Sequence, residues 1–231
     1  MKGFSSSLSA TEWFKLIINN FSMKSNPVKA AEMSKYMRDK FQFLGIQKPI
    51  RSELQKELLR LHGIPAITVL EELVGLLWEA PEREFQYAAI DLMHLYARKL
   101  PFSFFEIIER IILKKSWWDT VDLVSSKLAG NWFLSYPDEV EKITNEWIDH
   151  ESMWLNRAAL LYQLTYKEQT NSNRLFFLIN RKISSQEFFI QKAIGWALRQ
   201  YARTAPEKVL EFVNMSKLTT LSLREAKKHL K

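Results

Sequence analysis

The chain has 231 residues, 47% of them hydrophobic and 26% charged, with a formal net charge of +7. That is enough length and apolar content for a sizeable core, and a composition unlike that of disordered chains. Cysteine is absent, which excludes disulfide frameworks, thiolate chemistry and Cys-ligated metals together. The four histidines, at 62, 94, 150 and 229, have no metal-ligand spacing, and the six glycines stand singly, so neither a zinc motif nor a phosphate-cradling glycine loop is available.

The opening segment MKGFSSSLSA carries no apolar stretch of the kind that directs secretion. No apolar run is long enough to span a bilayer. The expectation is a soluble, cytoplasmic protein without a membrane partner. Helix signals then follow one another along the chain. Asn26-Pro27 reads as a cap with Pro at the first helical position. Pro81, Pro101, Pro137 and Pro206 each precede an amphipathic run, with acids in the first turn after Pro137 and Pro206. Sustained alternation of the strand type is missing throughout. The reading is an all-α chain of roughly twelve to fourteen helices.

An internal repeat organises those helices. EFQYAAIDLMHLYAR (84–98), WLNRAALLYQLTYKE (154–168) and FIQKAIGWALRQYAR (189–203) align with offsets of 70 and 35 residues. Apolar Phe85, Leu155 and Ile190 coincide, as do amides Gln86, Asn156 and Gln191, alanines Ala88, Ala158 and Ala193, and tyrosines Tyr96, Tyr166 and Tyr201. The copy expected between the first two is DTVDLVSSKLAGNWF (119–133), which keeps the apolar face and lacks the tyrosine. A period near 35 built from two helices predicts a stacked helical array, HEAT-like because the tetratricopeptide pattern is not obeyed. With no Gly-, Pro- or Ser-rich linker, a single superhelical domain over 1–231 is expected.

Stacked repeats present equivalent positions the same way. The slot after the amide gives the row Tyr87, Asp122, Arg157, Lys192 and, one period on, Lys227. Trp118 lies one turn before Asp122, Trp154 three residues before Arg157, and Trp196 one turn after Lys192. From Arg181 to Lys231 the chain has eleven Lys/Arg, among them Arg199, against four Glu, so its last quarter holds the whole positive excess. A one-sided basic end suits a polyanion such as nucleic acid, and equally a merely solvated basic surface. Indole faces attract cations, a carboxylate stabilises nearby positive charge, and Arg and Lys pair with phosphates. Each residue also has a plainer role. Asp122 could be half of an ion pair with Arg157, its neighbour one repeat away. One of Trp117 and Trp118 should be core, Trp154 and Phe188-Phe189 read as packing, and Tyr36 could be a satisfied core tyrosine.

The segments SKYMRDKFQFLGIQKP (34–49), APEREFQYAAIDLM (80–93), KKSWWDTVD (114–122), WLNRAALLYQLTYK (154–167) and EFFIQKAIGWALRQYA (187–202) resemble the AlkD-type DNA alkylation-repair glycosylases from about Phe21 onward. The resemblance implies a solenoid of six HEAT-like repeats whose concave face grips duplex DNA. It implies excision of positively charged N3- and N7-alkylpurines, such as 3-methyladenine and 7-methylguanine, without a base-flipping pocket. It places the catalytic aspartate on Asp122, the groove tryptophans on Trp118 and Trp196, and DNA-contacting residues on Arg157 and Tyr36. Lys192 and Lys227 of that row, with Arg199 of the basic end, join these as candidate DNA-binding residues. The lesion is already a cation, so no acid is needed to expel it. Asp122 is expected to act as an anion with an unraised pKa, kept ionised by Arg157. No lyase lysine, cofactor or metal is called for, and a monomer is expected. The rival reading is a DNA-structure-binding protein on the same scaffold that has no chemistry; a protein–protein scaffold is a weaker third.

Overall fold

The computed structural model describes residues 5–229. Helices account for its regular structure, and the β content of the described residues is two isolated bridges, Ser5 with Ile64 and Gln42 with Glu82. The expected all-α, repeat-built class is the one observed. The chain divides into two compact units, Met1–Tyr96 and Ala97–Lys231.

The first unit holds α1 (Ala10–Ser22), α2 (Pro27–Tyr36), α3 (Lys48–His62), α4 (Ile67–Glu79) and α5 (Arg83–His94). Ser9 and Glu12 close a reciprocal capping box on α1. Asn26 accepts a hydrogen bond from the Lys29 amide at the start of α2, and Pro27 occupies the first turn, where its missing N–H costs nothing. The second unit holds α6 (Phe104–Leu113), α7 (Trp118–Leu123), α8 (Gly130–Ser135), α9 (Val140–Asp149), α10 (Met153–Leu161), α11 (Ser172–Lys182), α12 (Phe188–Tyr201), α13 (Pro206–Met215) and α14 (Thr220–Ala226). A π-helical stretch, Val124–Ala129, joins α7 to α8 in one continuous rod.

The repeated residues turn out to be the joints of the array. Phe85, Leu155 and Ile190 are buried, and Ala88, Ala158 and Ala193 are wholly enclosed. Burying each large apolar side chain contributes about 1.5–3 kcal/mol. Each amide of the repeat reaches back to the end of the preceding helix. Gln86 Nε2 donates to the carbonyls of Leu77 and Ala80 at the close of α4. Asn156 Nδ2 donates to Trp147 and His150 at the close of α9. Gln191 Nε2 donates to Ser185, just past α11. These carbonyls are the acceptors a helix end leaves without an internal partner. The repeat tyrosines tie further back: Tyr96 donates to Pro65 O at 2.6 Å and Tyr166 to Gly130 O at 2.5 Å.

The π-helical stretch explains the copy without a tyrosine. Tyr96, Tyr166 and Tyr201 each lie nine residues after their row position, at Tyr87, Arg157 and Lys192. In the odd copy a wider turn inserts one residue, and Trp132, ten after Asp122, takes the tyrosine's place. Trp132 Nε1 donates to Pro101 O, 31 residues back, just as Tyr96 donates to Pro65 O. Gly130 is required here because a Cβ would run into the Tyr162 carbonyl as α10 crosses.

Candidate nucleic-acid interface and active site

Lys115 takes a left-handed backbone conformation (φ 52°), which turns the chain from α6 into Ser116 and the Trp117-Trp118 pair. Trp117 is buried, as one of the two had to be. Its ring packs at 5.6 Å from Trp154 and 5.2 Å from Phe189, and those two rings lie 5.2 Å apart. Trp118 begins α7, is half-buried, and stands one turn before Asp122 on the same helix.

Asp122 and Arg157 form a bidentate ion pair. Arg157 Nε donates to Asp122 Oδ1 at 2.7 Å and Nη2 donates to Oδ2 at 2.9 Å. Arg157 Nη1 donates to the carbonyl of Phe189 at the start of α12, so one guanidinium ties α7, α10 and α12 together. Its side chain is 5% exposed and that of Asp122 12%, so the pair is largely, though not wholly, closed off from solvent. Asp122 departs from expectation in one respect. Burial pushes its pKa above the ordinary carboxylate value, the Arg157 hydrogen bonds and charge pull it back, and Asp119 nearby adds a smaller upward push. The expected unraised pKa is therefore corrected: desolvation outweighs the single counter-charge.

The remaining candidates fall into three places. Lys192 and Arg199, on one face of α12, both bind the buried carboxylate of Glu225, at 3.1 and 2.7 Å. Trp196 lies between them on α12, half-buried. Lys227 is exposed in the turn that follows α14. Tyr36 closes α2 in the first unit and is 72% exposed, so it is no core tyrosine. It lines a 190 Å³ cleft with Glu32, Met33, Met37, Phe43 and Tyr87. Arg38 and Asp39 follow it with positive φ, turning the chain sharply away. Within the row, Tyr87 lies under the Arg51 guanidinium, 4.5 Å from its ring centre. Phe188, expected in the core, is 54% exposed, because its neighbour Phe189 takes the buried side of the helix start.

Sequence reasoning missed Glu225 and Lys228. Lys228 Nζ donates to both Glu225 oxygens, at 3.0 and 2.9 Å. These cations hold the Glu225 pKa down at about 2, the Lys228 hydrogen bond contributing most. A signal did exist: Glu225 is the one acid within the run Arg224–Lys228. Among the described residues no group of three or more His, Asp or Glu side chains could hold a metal ion, and no helix is long and apolar enough to cross a membrane.

With this geometry in hand, comparison with known proteins places the chain in a class. The DNA alkylation repair enzyme family matches residues 17–230, and the chain belongs to that family. A solved structure of a predicted DNA alkylation repair enzyme from Enterococcus faecalis is 36% identical, with a TM-score of 0.82 over 89% of this chain and 96% of the other. The structure of smu.31 from Streptococcus mutans UA159 shares the fold at 15% identity, with a TM-score of 0.60 over 78% and 92% of the two chains. No curated protein sequence matches the chain.

Proposed function

We propose that the protein is a monofunctional DNA glycosylase that removes cationic N3- and N7-alkylpurines from duplex DNA. The observation that carries this reading is Asp122, a carboxylate clamped on both oxygens by a buried arginine, partly exposed, with Trp118 one turn away. Such a group is fixed in orientation without being fully neutralised.

The chemistry follows from the lesion. An alkylpurine that carries a positive charge weakens its own glycosidic bond. As the C1′–N bond breaks, its electron pair passes to the purine, which leaves neutral, and positive charge moves onto the deoxyribose. Asp122 stabilises that developing charge and takes the proton lost by the water that attacks C1′. The products are the free base and an abasic site. Arg157 and an approaching cationic lesion both favour the ionised carboxylate. The faces of Trp118 and Trp196 are suited to share the cation. Arg157 orients Asp122, and Lys192, Arg199, Lys227 and Tyr36 are the proposed DNA contacts. Nothing in this scheme activates a neutral lesion, so uracil and hypoxanthine are poor substrates.

The test is release of free base from a duplex with a single 7-methylguanine. Asp122→Asn is expected to lower release by about 10²–10³-fold while keeping duplex affinity. Binding by both proteins with release by neither would establish the DNA-structure-binding alternative instead.

A further inference from the structure

The basic C-terminal end is built around a carboxylate. Lys192, Gly195 and Arg199 lie three and four residues apart, which places them on one face of α12. Gly195 has no side chain, and α14 fills that gap: a Cβ at 195 would collide with the Glu225 Cβ and crowd the Ser222 carbonyl. The close approach sets the Glu225 carboxylate between the two cations. Its Oε1 meets Lys192 Nζ at 3.1 Å and its Oε2 meets Arg199 Nη1 at 2.7 Å. Lys228, one turn along, closes the third side. A hydrogen bond from Ser222 Oγ to the Gln191 carbonyl fixes the register of α14 on α12.

The charges are unequal in exposure. The Glu225 side chain is 5% exposed, whereas those of Lys192 and Lys228 are 38% and 47% exposed. One buried negative charge thus gathers three positive ones, and the excess faces solvent. Long basic side chains left free would lose rotamer entropy on gripping a phosphate, and here much of that ordering is done in advance.

We propose that Glu225 is a positioning residue for DNA binding: seated over Gly195, it holds Lys192, Arg199 and Lys228 as one preformed cluster for backbone phosphate. This rests on the DNA-binding reading above and adds a residue of the wrong sign to it. The sign makes the proposal testable. Charge counting alone says that removing an acid from a basic surface tightens DNA binding. Preorganisation says that Glu225→Gln weakens it.

The experiment measures duplex affinity by fluorescence anisotropy as a function of salt, for the wild type, Glu225→Gln and Lys228→Met. Each phosphate contact contributes about 0.9 to the slope of log affinity against log salt. Glu225→Gln is expected to bind more weakly and to lose roughly one to two units of slope, and Lys228→Met to lose about one. In base-release assays Glu225→Gln is expected to raise KM and leave kcat unchanged, which a general loss of structure would not do. Equal or tighter binding by Glu225→Gln, or an unchanged slope in Lys228→Met, overturns the proposal. Should Glu225→Gln fail to fold, the Lys228→Met slope decides it alone, since that side chain sits at the rim. A wild type that does not bind duplex DNA overturns the glycosylase reading itself, a different result from wild-type binding that Glu225→Gln fails to weaken.

Discussion

Two carboxylates of the second unit, Asp122 and Glu225, have opposite electrostatic fates. Asp122 is desolvated and meets one guanidinium, and its pKa rises. Glu225 lies nearer the surface, covered by the side chains of its own cations, and with Lys228 and Lys192 beside it its pKa falls to about 2. Depth and counter-charge together set the protonation of an acid, and here both differ. The difference also sorts the two by role. A carboxylate saturated with cations is a fastener. One with a single partner and a raised pKa keeps reactivity to spare.

The strongest way to break this contrast is to remove the single partner. Arg157→Met leaves Asp122 buried without its counter-charge and α12 without the guanidinium that holds Phe189 O. Loss of one member of a buried pair costs about 3–5 kcal/mol. Urea unfolding should show a loss of that size, largely restored in the double variant Asp122→Asn, Arg157→Met; an unchanged midpoint in the single variant would show that the pair adds nothing to the fold.

Titration sharpens the contrast next. Glu225 is depressed from about 4.5 to about 2, so its contribution to stability is complete above pH 4.5 and is lost as pH falls towards 2. Asp122 is raised, so its ionisation costs the folded state. Its contribution is greatest below the usual value of 3.8 and declines as pH rises through the elevated pKa. Glu225→Gln should therefore flatten the acid limb of a stability profile between pH 2 and 4.5. Base release measured as kcat/KM, which reports the free enzyme, should fall with acidification at a pH above the ordinary aspartate value of 3.8. A release profile that stays flat down to pH 4 would contradict the assignment of Asp122.

Smaller effects belong to the joints of the array. Tyr96→Phe removes one hydrogen bond to Pro65 O and should cost about 1 kcal/mol in a denaturant titration. Trp132→Phe removes the corresponding bond to Pro101 O and also leaves a cavity at a wholly buried site, so it should cost more than Tyr96→Phe.

Much of this architecture is readable in sequence because the repeat residues do local, repeatable jobs. Gln86, Asn156 and Gln191 recur since each closes the helix before it, and Tyr96 and Tyr166 recur since each ties back one repeat. The pairing of Asp122 with Arg157 is readable for the same reason: they are one period apart. The π-helical stretch is not readable. No residue type signals the extra residue, and Trp132 supplies the tyrosine's hydrogen bond from one position further along. The sign of the Asp122 shift is also hidden, because it depends on how much neighbouring helices cover the carboxylate. Glu225 joins Lys192 across 33 residues of chain, and only the return of α14 over Gly195 brings them together.

The central claim is that Asp122 performs chemistry and does not merely fasten helices. It is tested most directly by following 7-methylguanine release from duplex DNA by the wild type and Asp122→Asn under single-turnover conditions. The account predicts release by the wild type and a fall of about 10²–10³-fold in the variant at unchanged duplex affinity. Equal rates in the two proteins would contradict it and leave Asp122 with the structural role that Glu225 already has.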